Sequence, residues 1–222
     1  MVYLSSTQKV NYFFLKVGLG MNEKFFDLKK EKQDRMINAA LKVFALNGYA
    51  HASTDDIVKE AGISKGLLFH YFISKLGLYT FIYDYSVKYT VLELSTGVAK
   101  NETDYFELIW QMRSAQLQVM RTYPYMLLFL HESGKENVSE ALLATEEKRS
   151  VLPHHYNQII RRADLAKFKS EADTDKLTRM IDFTIDGLLS EQFVNGSFQP
   201  DLFGGEVRQY LDMMKKLTYL QA

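Results

Sequence analysis

Between residues 28 and 47, apolar side chains fall at Ile37, Ala40, Leu41 and Phe44. That is the i, i+3, i+4, i+7 stripe of an amphipathic helix. Gly48 stands just past the stripe, where a left-handed residue commonly ends a helix. Ser53-Thr54-Asp55-Asp56 then offers a hydroxyl cap and two acids suited to a helix dipole, predicting a short second helix over 54–61 that Gly62 closes. Ser64 is placed to cap a third helix over 65–72, and Ser74 a long fourth one from 75 to about 94. The same grammar continues. A helix over 103–122 carries Tyr105, Leu108, Ile109, Met112, Gln116 and Val119 on one side, and Pro124 begins or kinks the next, to about 133. Residues 138–167 read as helical and divided by Pro153. Thr174–Asn195 and Leu202–Leu220 follow, separated by a turn over 196–200. No segment alternates apolar and polar residues and no repeat is present, so the pattern predicts an all-α protein of eight to ten helices.

Composition narrows the function classes. With 47% hydrophobic residues over 222, the chain can bury a sizeable core. Charged residues make up 24%, and no uncharged run approaches the ~20 residues that cross a bilayer, so no membrane partner is expected. Cysteine is absent, which removes disulfides, thiolate nucleophiles and Cys-based metal sites. Net charge is zero but unevenly spread: nine Lys/Arg against seven Asp/Glu over 28–94, three against two over 1–27, and therefore fifteen against eighteen over 95–222. The mild excess allows a nucleic-acid face in the first half without establishing one. The first twenty residues lack the form of a signal peptide, so a cytoplasmic location is expected and the Asn-x-Ser/Thr triplets at 101, 137 and 195 are chance matches. Met21 reads as an alternative start, with 1–20 as upstream-translated or added sequence, or equally as an ordinary tail of the natural chain.

The informative segment is 54–72. Two short helices joined through Ala61-Gly62-Ile63-Ser64 fit a helix-turn-helix, with Gly62 allowing the sharp turn and Ile57, Ala61, Ile63 and Leu68 spaced to pack inside the corner. The run Ile57-x3-Ala61-Gly62-Ile63-Ser64-Lys65-Gly66-x2-Phe69-x-Tyr71-Phe72-x-Ser74-Lys75 resembles the DNA-binding signature of the tetracycline-repressor (TetR) family, over about 34–78. The resemblance implies a homodimeric transcription regulator, usually a repressor, whose second domain binds a small-molecule effector. The expected organisation is an N-terminal extension over 1–27, a helix-turn-helix DNA-binding domain over 28–75, and a helical signal-binding and dimerisation domain over 76–222. It further implies that Ser64, Lys65 and Gly66 open the reading helix against phosphate or base edges, that Leu67, His70 and Tyr71 face or flank the major groove, and that Lys75 and Thr54 meet backbone phosphate. Lys29, Lys30 and Lys32 would form a basic arm. Phe69, Leu67 and Leu76 stand where the family commonly has Tyr, Thr and an acidic residue, each omitting a polar contact, and Val58 is bulkier than the usual alanine. Those losses motivate an alternative, a helix-turn-helix scaffold acting as an adaptor through a protein partner.

Enzyme and metal readings find little support. The adjacent His154 and His155 point about 100° apart on a helix, unlike an i, i+4 metal grip. No Gly-x-Ser-x-Gly elbow or phosphate loop occurs, and neither a metal nor a cofactor is implied. Thr174–Asn195 carries Leu177, Met180, Ile181, Ile185, Leu188, Leu189 and Phe193. Leu202–Leu220 carries Phe203, Val207, Tyr210, Leu211, Met214 and Leu217. These helices are expected to form a four-helix homodimer interface with their symmetry mates, against the alternative that both stripes face only their own core. Trp110, Arg113 and Leu117 continue from Phe106 as a second stripe on the fifth helix. With Phe129, Tyr156 and Phe183 they could wall an aromatic effector cavity suited to a flat apolar ligand or one with an acidic group, or they could simply be core.

Overall fold

The computed structural model describes residues 23–194 and 199–220; residues 1–22, over which the alternative-start reading falls, 195–198, on which most of the expected 196–200 turn falls, and 221–222 lie outside the described residues. Ten α-helices make up the described chain: α1 (Lys30–His51), α2 (Thr54–Ala61), α3 (Lys65–Phe72), α4 (Lys75–Gly97), α5 (Tyr105–Thr122), α6 (Met126–Ser133), α7 (Ser139–Arg149), α8 (Val151–Ile160), α9 (Thr174–Val194) and α10 (Pro200–Thr218). Short 3-10 turns stand at Glu23–Phe25 and Leu165–Lys167. No β-strand occurs among the described residues, only an isolated antiparallel bridge between Phe168 and Tyr219. Helices α2, α3 and α4 start where their caps place them. Ser53 Oγ accepts from Asp55 N, Ser64 Oγ from Leu67 N, and Ser74 Oγ from Gly77 N.

Two details differ from the sequence pattern. The 138–167 stretch divides at Ser150 rather than at Pro153, because Pro153 sits in the first turn of α8, where its missing N–H costs nothing. Gly48, at φ +67°, is a break inside α1 rather than its end, and the chain resumes one further helical turn to His51.

Helix α4 is the centre of the molecule. It buries Leu78, Tyr79, Phe81, Ile82, Tyr83 and Tyr85 in near succession, so it is covered on all sides rather than along one stripe. Its first half packs against α1 and the Phe25 turn, with Phe81 5.2 Å from the Phe25 ring. Farther along it packs against α5 and α7. One hydrophobic core therefore runs from Phe25 through α1, α4 and α5 to Met214 of α10. Among the described residues no helix is long and apolar enough to cross a membrane.

Candidate nucleic-acid interface

The corner between α2 and α3 forms as its residues dictate. Ile57, Ala61 and Leu68 are fully buried, and Gly62 takes the left-handed conformation (φ +63°, ψ +43°) that lets Ile63 N close on Val58 O. The other face of α3 is open: Ser64, Lys65, Gly66 and His70 are exposed, while Leu67 and Phe69 are half-buried. Lys65 Nζ lies 2.8 Å from Asp55 across the corner, an exposed pair that a phosphate could displace. Thr54, at the start of α2, is half-buried.

Three expectations for this region need correction. Tyr71 is only 8% exposed and packs edge-on against Phe25 at 5.7 Å, because the Phe25 turn covers the side of α3 on which it lies; it does not face outward. Lys75 also turns inward. Its ammonium donates to the carbonyls of Tyr49 (2.8 Å), Ala50 (3.3 Å) and Ala52 (3.2 Å) and sits 4.5 Å over the Tyr49 ring, so it closes the C-terminal end of α1 instead of projecting a phosphate contact. Lys30 leaves the basic arm: it pairs with Asp34, donates to Tyr123 Oη at 3.1 Å, and burial lowers its pKa despite that acidic partner.

The residues that hold the reading unit against the rest of the chain escaped sequence reasoning. Tyr123 Oη donates to Asp34 at 2.6 Å, so the Tyr85 hydroxyl 2.8 Å away must donate to Tyr123. This buried chain ties α1 to α4 and to the α5–α6 turn. At the other end of α1, Tyr49 Oη lies 2.5 Å from Glu140 and Tyr49 N donates to Glu136 at 3.0 Å. Helix α7 is in turn tied to α4 through Asp84, 2% exposed, which lies 3.2 Å from Lys148 and 2.8 Å from Lys88. Lys30 and Lys75 carried a signal in the sequence: a cation in the first turn opposes the helix dipole and so calls for a partner elsewhere.

A cavity of about 350 Å³ lies among α4–α10. Of the six residues expected to wall it, Arg113, Leu117 and Tyr156 do. Trp110 borders a separate groove beside Gly204. Phe129, 1% exposed, belongs to the core beneath, 5.5 Å from Tyr79, and Phe183, 74% exposed, lies on the outside of α9. The walls are accordingly more aliphatic than aromatic. Arg149, His131 and Asp186, none of them expected to wall an effector cavity, also line the space. Helices α9 and α10 each show two faces. Leu177, Ile181, Ile185 and Leu189 are buried inward while Met180 and Phe183 are exposed; Phe203, Val207, Leu211 and Met214 are buried while Leu202, Met213 and Leu217 are exposed. Phe193 lies among residues whose side chains are not described.

The family model for "Bacterial regulatory proteins, tetR family" matches residues 36–80. The chain is 45% identical over 59 residues to the uncharacterized HTH-type transcriptional regulator YuxN of Bacillus subtilis (strain 168), a match covering 25% of this chain and 20% of that one. It is 48% identical over 44 residues to the HTH-type transcriptional regulator UidR of Escherichia coli (strain K12), covering 20% and 22%. These matches span about a fifth of the length of either relative. The whole fold is similar to the crystal structure of a TetR family transcriptional regulator from Chloroflexus aurantiacus, with TM-score 0.61 and 18% identity, over 90% of this chain and 99% of that one.

Proposed function

We infer that this chain, which belongs to the tetR family of bacterial regulatory proteins through its DNA-binding domain, binds a palindromic operator as a homodimer, acts as a repressor, and is released by a small-molecule effector. The observation that carries the DNA-binding part is the open face of α3. Ser64, Lys65, Gly66 and His70 are left exposed together on a short helix whose other face is locked into the core. The side-chain and amide donors at its start suit phosphate and base edges. Dimerisation is supported by the exposed apolar faces of α9 and α10, which nothing among the described residues covers. A two-fold pair would set two reading helices about one DNA turn, ~34 Å, apart.

Effector release is supported by connectivity. Helix α7 borders the cavity at Arg149 and holds the reading unit through Glu140 and Tyr49. A ligand that fits one placement of α7 and α4 better than the other would shift the population between two reader spacings. Fluorescence anisotropy on DNA upstream of the gene, against shuffled DNA across a salt series, tests the reading. Preferential binding that weakens steeply with salt is expected. Lys65→Ala should lower the slope of log affinity against log salt by about one unit per protomer. Equal weak binding to both DNAs would favour the adaptor alternative.

A further inference from the structure

We propose that the cavity takes a singly charged, amphipathic organic carboxylate of about a dozen heavy atoms, with its head group received by Arg149. The proposal rests on the regulator reading above for its biological meaning, and on the cavity alone for binding. Arg149 Nε donates to Thr145 Oγ1 at 3.1 Å and Nη1 to the Ser133 carbonyl at 3.1 Å; the Glu136 carboxylate feels its charge but makes no direct hydrogen bond to it. Arg149 lines the cavity, its guanidinium carbon lies 5.7 Å over the Tyr83 ring, and its Nη2 is buried with no hydrogen-bond partner among the described residues. A buried donor on a guanidinium left unmade is expensive and rare, and the fork's geometry matches a carboxylate.

The rest of the space specifies the body of the ligand. Leu117, Leu127, Leu130, Leu152, Ile185 and Leu189 form an aliphatic wall, which an inorganic anion would leave unfilled. Arg113 also lines the cavity and has an unpartnered buried Nε, but its other nitrogens are committed to Gln116 at 3.0 Å and Asp182 at 2.9 Å. Asp186 stands beside it on the wall shared with a second cavity, so a second negative charge is disfavoured at that end. A volume of about 350 Å³, at the ~30 Å³ that a water-sized group occupies in a liquid, holds roughly a dozen heavy atoms. Arg149 is the last residue of α7 and Glu140, which meets Tyr49, lies in its first turn, so one helix joins the head-group site to the reading unit.

Isothermal titration of the full chain with sodium decanoate and with 1-decanol, in the absence of DNA, tests the assignment. Decanoate should bind once per chain, at least tenfold more tightly than decanol. Arg149→Met should weaken decanoate at least tenfold and leave decanol unchanged, with Arg149→Lys in between. No saturable binding of decanoate, equal binding of decanol, or a methionine variant as tight as the parent would each overturn it. If the methionine variant fails to fold by circular dichroism, the lysine variant and the acid–alcohol comparison decide. Because DNA is absent, a chain that binds operator and ignores decanoate loses only this assignment. One that binds decanoate through Arg149 and ignores all DNA loses the regulator reading instead.

Discussion

Gly77 faces the carbonyl oxygen of Phe72 so closely that a Cβ at position 77 would lie 2.2 Å from it. The approach follows from a γ-turn between α3 and α4. Ile73 is held at φ +64° and ψ −45°, and Ser74 N donates to Phe72 O at 2.6 Å. A β-branched residue rarely adopts that backbone, and Ile73, 84% exposed, gains nothing from packing in return. Opposite effects are therefore expected at the two positions. Gly77→Ala should destabilise the chain by about 1–3 kcal/mol, since backbone must move to admit the methyl. Ile73→Gly should stabilise by roughly 0.5–1 kcal/mol, strain relief outweighing the added entropy of the unfolded glycine. Urea unfolding of both variants checks the pair, and a less stable Ile73→Gly protein would show that the turn is unstrained.

The Asp34–Tyr123–Tyr85 chain makes a separate prediction. Removing the Tyr123 hydroxyl, in a fully buried side chain, breaks its bonds to Asp34, Lys30 and Tyr85 at once. Tyr123→Phe should cost about 1–3 kcal/mol in urea unfolding. Tyr85→Phe combined with it should cost less than the two single losses together, because both act on one contact. Strict additivity would mean that the hydroxyls do not depend on each other.

The local elements were legible because their signals are local. Ser53, Ser64 and Ser74 cap where they stand, and Gly62 turns where its conformational freedom is needed, so α2 and α3 run over the residues the pattern predicts. What the chain does between helices far apart in sequence was not legible. Phe183 and Phe129 both fit an aromatic cavity by periodicity, yet one lies outside and the other beneath it, since helical spacing fixes a face and not the neighbour it meets. Tyr71 fails for the same reason: its cover comes from Phe25, forty-six positions earlier. Arg149 ends a run of charges, Glu146-Glu147-Lys148-Arg149, that carries no signal of its own, and only the fold brings it to the cavity wall.

Lys75 separates a structural cation from a nucleic-acid contact. Its three carbonyl partners close the end of α1, so Lys75→Met should lower stability by about 1–3 kcal/mol. At a temperature where the variant is folded, the salt slope of DNA binding should stay that of the parent, whereas Lys65→Ala flattens it. A flattened slope in Lys75→Met would return this residue to the phosphate contacts.

The clamp on Tyr49 should also respond to acid. Burial alone would raise the Glu136 pKa, but the backbone N–H groups of Val138, Tyr49 and Asn137, with the charge of Arg149, together hold it below the ordinary glutamate value of 4.5. A carboxyl with a depressed folded pKa contributes stability that is complete above its unfolded pKa and is lost as pH falls through the folded one. The parent should therefore lose stability below pH 4.5 in a step that Glu136→Gln lacks, the variant being less stable at neutral pH and converging on the parent in acid. Urea midpoints at neutral pH and across the acid limb read this directly. A constant gap between parent and variant down the whole acid limb would show that Glu136 holds α1 to α7 by shape rather than by its charge.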